Sequence, residues 1–113
     1  MSYNIIPTRR FERELKRLAK KYPSIRNEFA ELIGKITHNP ITGSFIGNNC
    51  YKIRMAISSK RKGKSSGARV ITYLYIYIQT ETVYLLTIYD KSEKADLKPN
   101  ELKEIIYSLE LNG

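Results

Sequence analysis

The chain contains one cysteine, one histidine and no tryptophan, and these shortages exclude several kinds of site. A single thiol, Cys50, cannot close an intrachain disulfide, so we expect a protein of a reducing cytoplasm. One cysteine and one histidine cannot build a zinc site, and no metal or other cofactor is expected. Apolar runs fall short of the roughly 18 residues that would cross a bilayer, so no membrane contact is expected.

Hydrophobic periodicity predicts helices in the first part of the chain. A short edge strand is expected at residues 3–7, because its proline lacks the N–H that a central strand donates. Apolar residues at helical spacing then predict a helix capped by Thr8 and ended by Pro23. A second helix, capped by Ser24, runs to the turn-forming stretch at 38–43. The short connection indicates a helical hairpin.

The period changes to two in the second part of the chain, which predicts strands at 50–58, 68–79 and 83–91. A turn is expected at 80–82, and the last strand is apolar on both faces and therefore central. Pro99 opens a C-terminal helix. We therefore predict a single α+β domain over the whole chain, in which the N-terminal strand and helical hairpin pack on an antiparallel sheet of about four strands.

Positive charge is concentrated in the middle of the sequence. The net charge is +9, and no acidic residue lies between Glu31 and Glu81. The basic residues in that interval are Lys35, Lys52, Arg54, Lys60, Arg61, Lys62, Lys64 and Arg69. Because no acid balances this field, the pattern favours contact with nucleic acid over a merely solvated surface.

The basic residues suit RNA cleavage, since RNA supplies its own nucleophile in the 2′-hydroxyl. The protein then needs a proton acceptor, a proton donor and positive charge on the phosphate. Lys52 and Arg54 share one face of a strand, about 7 Å apart. A lysine crowded by cations gives up its proton more easily, so Lys52 is a candidate base. Arginine stays charged and suits stabilisation of the transition-state charge, a role that Arg69 on the neighbouring strand could take.

Other titratable residues receive structural interpretations. His38 lies in a turn-forming segment, and Cys50 at a strand start is interpreted as a packing residue. Asp90, Glu93 and Asp96 alternate with lysines, which indicates a solvated surface in preference to a divalent cation site. These residues are therefore not expected to carry chemistry.

Four segments together resemble the RelE/ParE toxin superfamily, and within it the RelE-like, HigB-type branch. They are NPITG at 39–43, CYKIR at 50–54, RKGKSSGARVITY at 61–73 and YLLTIYDKSEKADL at 84–97. Their order and spacing extend the resemblance over nearly the whole chain. The resemblance implies a RelE-like fold.

The resemblance also implies a function. It predicts the cytoplasmic toxin of a type II toxin–antitoxin system, which cleaves mRNA in the ribosomal A site without a metal. The implied partners are the ribosome, mRNA and a cognate antitoxin, which is expected to be a helix-turn-helix DNA-binding protein. The toxin is expected to contact operator DNA only through this antitoxin. Two alternatives stay open: a ParE-like, non-enzymatic inhibitor of DNA gyrase, and a catalytically inactive relative.

Residue roles follow from the same resemblance. It implies that Lys52 is the base, that Arg54 and Arg69 bind the phosphate, and that Arg69 or Lys91 is the acid or an orienting group. The family pattern has an arginine and a tyrosine where this chain has Ser92 and Lys98, so we expect the aromatic platform to be missing or to be relocated to Tyr73 or Tyr89. The residues expected to bind RNA or ribosome are Lys60, Arg61, Lys62, Lys64, Tyr73 and Tyr89.

Overall fold

The computed structural model describes residues 3–60 and 66–109, and these residues form an α+β fold. The strands are β1 (Asn4–Pro7), β2 (Ser44–Gly47), β3 (Cys50–Met55), β4 (Ala68–Tyr77) and β5 (Thr80–Asp90). The helices are α1 (Arg9–Lys21), α2 (Ile25–His38) and α3 (Pro99–Tyr107), and a 3-10 turn lies at Ser58–Lys60. The α+β class predicted from the sequence is confirmed.

The strands form one mixed sheet in the order β1-β5-β4-β3-β2. Strand β5 is an interior strand between β1 and β4, as its two apolar faces predicted, but the middle strand of the sheet is β4. All neighbouring strands are antiparallel except β1, which runs parallel to β5 with Ile5 beside Val83. The backbone N–H of Thr8 continues this pairing by donating to the Leu85 carbonyl at 3.1 Å, so α1 starts at the edge of the sheet.

The sheet has one strand more than the sequence predicted, because β2 lies in a segment interpreted as turns. Asn48 and Asn49 both adopt left-handed backbone, with φ of 52° and 57°. Asparagine tolerates this conformation, and two such residues make the tight hairpin turn whose twist matches paired strands. Residues 44–47 therefore fold back on β3.

The turn between β4 and β5 is also displaced from its predicted position. It lies at Ile78 and Gln79, since Tyr77 already pairs with Thr80. Ile78 has a φ of 57° and is 80% exposed. A β-branched residue is rarely found in this conformation, so the sequence carried no turn signal there.

The two predicted helix caps differ in the structure. The Thr8 hydroxyl accepts the Phe11 N–H at 3.2 Å, and α1 ends before Pro23, as expected. Ser24 occupies the cap position of α2 but makes no capping hydrogen bond. Its hydroxyl instead donates to the Glu28 carboxylate at 3.0 Å and contacts Ser59 at 2.7 Å, which ties α2 to the 3-10 turn.

Helices cover the two faces of the sheet unequally. The hairpin of α1 and α2 covers one face, and its fully buried side chains include Phe11, Leu18, Ile25 and Ile36. The shorter α3 covers part of the other face, with Leu102 and Ile105 packed in one cluster with Cys50, Ile71, Leu86 and Tyr89. We call these the hairpin face and the α3 face. No helix in the described part of the chain is long and apolar enough to span a membrane.

Candidate functional site

The register of β3 and β4 brings three basic side chains to the α3 face. Arg54 lies directly opposite Arg69 across the two strands. Alternate residues of a strand share a face, so Lys52 and Arg54 lie on the side of Cys50, and Arg69 on that of Ile71. Side chains opposite each other start about 4.5–5.5 Å apart at their Cβ atoms. We call Lys52, Arg54 and Arg69 the cationic patch.

The members of the patch differ in exposure. Arg54 is exposed and Lys52 is half-buried. Arg69 is only 5% exposed, and its guanidinium donates to the Ala68 carbonyl at 3.2 Å. Its pairing partner on the neighbouring strand β5 is Tyr89. Arg54 therefore presents its charge to solvent, while Arg69 contributes charge from the floor of the patch.

Asp96, from the segment between β5 and α3, contacts this patch. Its Oδ1 accepts Lys52 Nζ at 3.2 Å, the Tyr89 hydroxyl at 3.3 Å and the Leu97 N–H at 2.8 Å. The bond from Leu97, reinforced by Lys52, holds the pKa of the Asp96 carboxyl below its usual value. Burial, and then the charge of Asp96, raises the pKa of Tyr89 to about 12. The phenol therefore stays a hydrogen-bond donor.

Neither Tyr73 nor Tyr89, the two residues expected to form an aromatic platform, exposes its ring next to the patch. Tyr89 is only 6% exposed and packs against α3, so its ring offers no face to a base and its hydroxyl binds Asp96 instead. Tyr73 lies four residues beyond Arg69 on β4, about 13 Å away along the strand. Its ring stacks on Tyr84 at 6.4 Å. The buried Ile71, packed with α3, lies between this tyrosine and the patch.

Lys60, expected to bind RNA, is engaged in a buried ion pair. Its Nζ lies 2.6 Å from Asp90 Oδ1, 2.8 Å from the Ser66 carbonyl and 3.1 Å from Ser92 Oγ. The Lys60 side chain is 10% exposed and that of Asp90 is fully buried. Because all three donors of the ammonium have partners, we assign Lys60 a structural role instead of RNA contact.

Asp90 is correspondingly not part of a solvated surface. Its Oδ2 accepts the Tyr22 hydroxyl at 2.6 Å, and its Oδ1 accepts the Ser92 backbone N–H at 3.0 Å. Burial alone would raise the pKa of the Asp90 carboxyl, but the hydrogen bonds from Lys60, Tyr22 and Ser92 outweigh it and hold the pKa well below its usual range. Asp90 is thus a buried carboxylate that joins β5 to the residue that caps the end of α1 and to the 3-10 turn.

Lys91 lies at the end of β5, and its contacts are with the backbone. Its N–H donates to the Gly67 carbonyl at 3.0 Å, and its Nζ donates to the Ala95 carbonyl. Lys91 thereby holds the segment that carries Asp96, and its catalytic role stays a prediction. Arg61, Lys62 and Lys64 lie outside the described residues.

Cys50 matches its structural interpretation, whereas His38 is the last residue of α2 and does not lie in the predicted turn. Cys50 is fully buried at the start of β3, which confirms its packing role, and burial raises the pKa of its thiol to about 12. His38 is exposed at the end of α2. Within residues 3–60 and 66–109, no three His, Cys, Asp or Glu side chains are grouped so that they could hold a metal ion.

No family model matches the chain. A solved structure does: the E. coli toxin RelE in the free state, in a form with two arginines replaced by alanine. The alignment covers 95% of this chain and 97% of that one, with a TM-score of 0.60 and 16% sequence identity. The chain has the RelE-like fold. At 16% identity the similarity establishes the fold but not the roles of individual residues. Those roles depend on the geometry of the cationic patch.

Within this RelE-like fold, sequence reasoning missed Asp96 as a site residue and Asp90 as a buried one. A signal for Asp90 was present, because it continues the alternation of Ile88, which faces the hairpin core. A carboxylate at such a position needs a buried partner. No comparable signal existed for Asp96, whose contact with Lys52 joins residues 44 positions apart.

Proposed function

We propose that this chain is the toxin of a type II toxin–antitoxin pair and that it cleaves mRNA on the ribosome. The RelE-like fold supports the toxin assignment, because the matching structure is that of a toxin. The placement of Arg54 opposite Arg69 carries the nuclease assignment. Guanidinium groups that start from directly opposed positions on two strands can bind oxygens of the same phosphate.

The reaction supported by the patch is an internal transesterification of RNA. The 2′-oxygen attacks the adjacent phosphorus, the bond from phosphorus to the 5′-oxygen breaks, and a 2′,3′-cyclic phosphate and a 5′-hydroxyl result. One group accepts the 2′-hydroxyl proton and another protonates the 5′-oxygen. Arg54 and Arg69 would stabilise the charge that builds on the non-bridging oxygens. This chemistry needs no metal.

The structure changes the role that we assign to Lys52. The sequence favoured it as the proton acceptor, but its ammonium donates a hydrogen bond to Asp96. A group that already donates to a carboxylate fits a phosphate ligand better than a base, since a phosphate oxygen can take the place of the carboxylate. We therefore assign Lys52 to phosphate binding.

The partners follow from charge and from the toxin assignment. A net charge of +9 favours association with ribosomal RNA and mRNA. A cognate antitoxin is expected to cover the patch with an acidic or apolar segment and to supply the contact with operator DNA. The cytoplasm is the compartment in which these partners meet.

The test is cleavage of a defined mRNA on purified ribosomes, mapped by primer extension. The wild-type protein should cut the message, and Arg54→Ala should cut it about 100-fold to 1,000-fold more slowly, as expected for the loss of one transition-state ligand. Arg13→Ala is the matched control, because Arg13 is an exposed arginine on α1, across the sheet from the patch. Its cleavage rate should equal that of the wild type.

Other outcomes would reject the nuclease. Gyrase-dependent DNA breaks without mRNA cleavage would favour the ParE-like alternative. A folded protein that causes neither mRNA cleavage nor DNA breaks, and is not toxic in cells, would be an inactive relative. Equal loss of activity in Arg13→Ala and Arg54→Ala would show that overall charge, and not the patch, matters.

A further inference from the structure

The patch contains a negative charge that an RNA-binding surface does not need. Asp96 Oδ1 lies 3.2 Å from Lys52 Nζ, with the Tyr89 hydroxyl at 3.3 Å. A carboxylate here reduces the net charge of the patch and would repel an incoming phosphate. The contact therefore opposes the binding that the neighbouring arginines favour.

The hydrogen-bond donors around Asp96 Oδ1 are ones that could also bind a phosphate oxygen. It accepts one ammonium, one phenol and one backbone N–H, and these donors serve carboxylate and phosphate oxygens alike. The Asp96 carboxylate is thus seated where a phosphate of the RNA would meet Lys52.

The side chain of Asp96 can leave while its backbone stays. It is 64% exposed and that of Lys52 is 30% exposed, and an ion pair so open to water is weak. The backbone around it is held, because Lys91 Nζ binds the Ala95 carbonyl and the Leu97 side chain packs against the α3 cluster. A rotation of the side chain is therefore sufficient to free Lys52.

We propose that Asp96 is a built-in competitor of RNA, whose carboxylate occupies Lys52 in the free protein and is displaced when a phosphate binds. The inference rests on the proposed function, since it takes the patch to be the RNA site. It assigns Asp96 the role of lowering affinity for RNA, so that the toxin does not bind every polyanion that it meets.

The test is the affinity for a single-stranded RNA oligonucleotide carrying 2′-O-methyl groups, which cannot be cleaved, measured by fluorescence anisotropy at fixed salt. Asp96→Asn keeps the shape and the acceptor for Leu97 but removes the charge. It should lower the dissociation constant by up to about fivefold, the upper end of the range for an exposed ion pair.

The matched control is Glu93→Gln, which changes the net charge by the same amount. Glu93 binds Arg17 at 2.8 Å and Lys21 at 3.4 Å, both on α1 at the other side of the sheet. Its dissociation constant should stay within about twofold of the wild type, because those cations are not part of the patch. Equal tightening in both variants would overturn the proposal, and so would weaker binding in Asp96→Asn.

A double-mutant cycle tests whether Asp96 acts through Lys52. In a Lys52→Ala background, Asp96→Asn should tighten binding much less than it does in the wild type. A full fivefold gain in that background would contradict the competition. Arg54→Ala separates the inference from the proposed function: if it binds as tightly as the wild type, the patch is not the RNA site, whatever Asp96 does.

Discussion

Two lysine–aspartate pairs, one on each face of the sheet, have different surroundings. Lys60 and Asp90 are 2.6 Å apart, and their side chains are 10% and 0% exposed. Lys52 and Asp96 are 3.2 Å apart, and their side chains are 30% and 64% exposed. The two aspartates are only six positions apart, at the end of β5 and in the segment that follows it.

The comparison shows that burial, and not residue type, separates the scaffold from the candidate site. Removing one partner of a buried pair leaves an uncompensated buried charge, so we expect each member of the Lys60–Asp90 pair to stabilise the fold in the presence of the other. An exposed pair contributes little to stability, and its members stay available to a ligand. Lys60, which the sequence predicted to bind RNA, is held in the buried pair, while Lys52 lies in the candidate site.

The largest expected effect is that of breaking the buried pair. Asp90→Asn leaves the Lys60 ammonium without its counter-charge and should lower the free energy of unfolding by about 3–5 kcal/mol. Urea denaturation measures this loss. The control is Glu93→Gln, whose exposed ion pairs predict a loss below about 1 kcal/mol. Equal losses in the two variants would contradict the distinction between the pairs.

The buried pair should also control acid stability. Because hydrogen bonds depress the folded-state pKa of Asp90, its contribution is complete above the unfolded value of 3.8 and declines as the pH falls from there towards the folded-state pKa. Urea midpoints measured from pH 6 to about pH 2 should therefore fall more steeply for the wild type than for Asp90→Asn. Parallel curves would show that Asp90 does not titrate in this way.

The smallest expected effect on stability is that of the exposed pair. Asp96→Asn should change the free energy of unfolding by less than about 1 kcal/mol, although it should strengthen RNA binding. Thermal melting beside the anisotropy measurement checks both quantities in one preparation. A large loss of stability would place Asp96 in the scaffold together with Asp90.

Local patterns in the sequence predicted much of the fold and part of the candidate site, but not the contacts between distant residues. Alternation placed Lys52 and Arg54 on one face, and the two apolar faces of β5 predicted that it is not an edge strand, because both signals lie within one strand. The Lys60–Asp90 contact joins residues 30 positions apart, and no local pattern reports it. Strand β2 was missed because Asn48 and Asn49 read as a loop until their backbone angles were known.

The most direct test compares cleavage per folded molecule in two variants, one for each pair. Lys52→Met should unfold at the wild-type urea concentration and lose most mRNA cleavage on the ribosome. Tyr22→Phe, which removes one hydrogen bond to Asp90, should lose roughly 1.5–3 kcal/mol of stability and cleave at the wild-type rate once corrected for its folded fraction. The assignment of the site to the exposed pair would be contradicted if Lys52→Met cleaved mRNA at the wild-type rate. It would also be contradicted if Tyr22→Phe, after correction for its folded fraction, cleaved more slowly than the wild type.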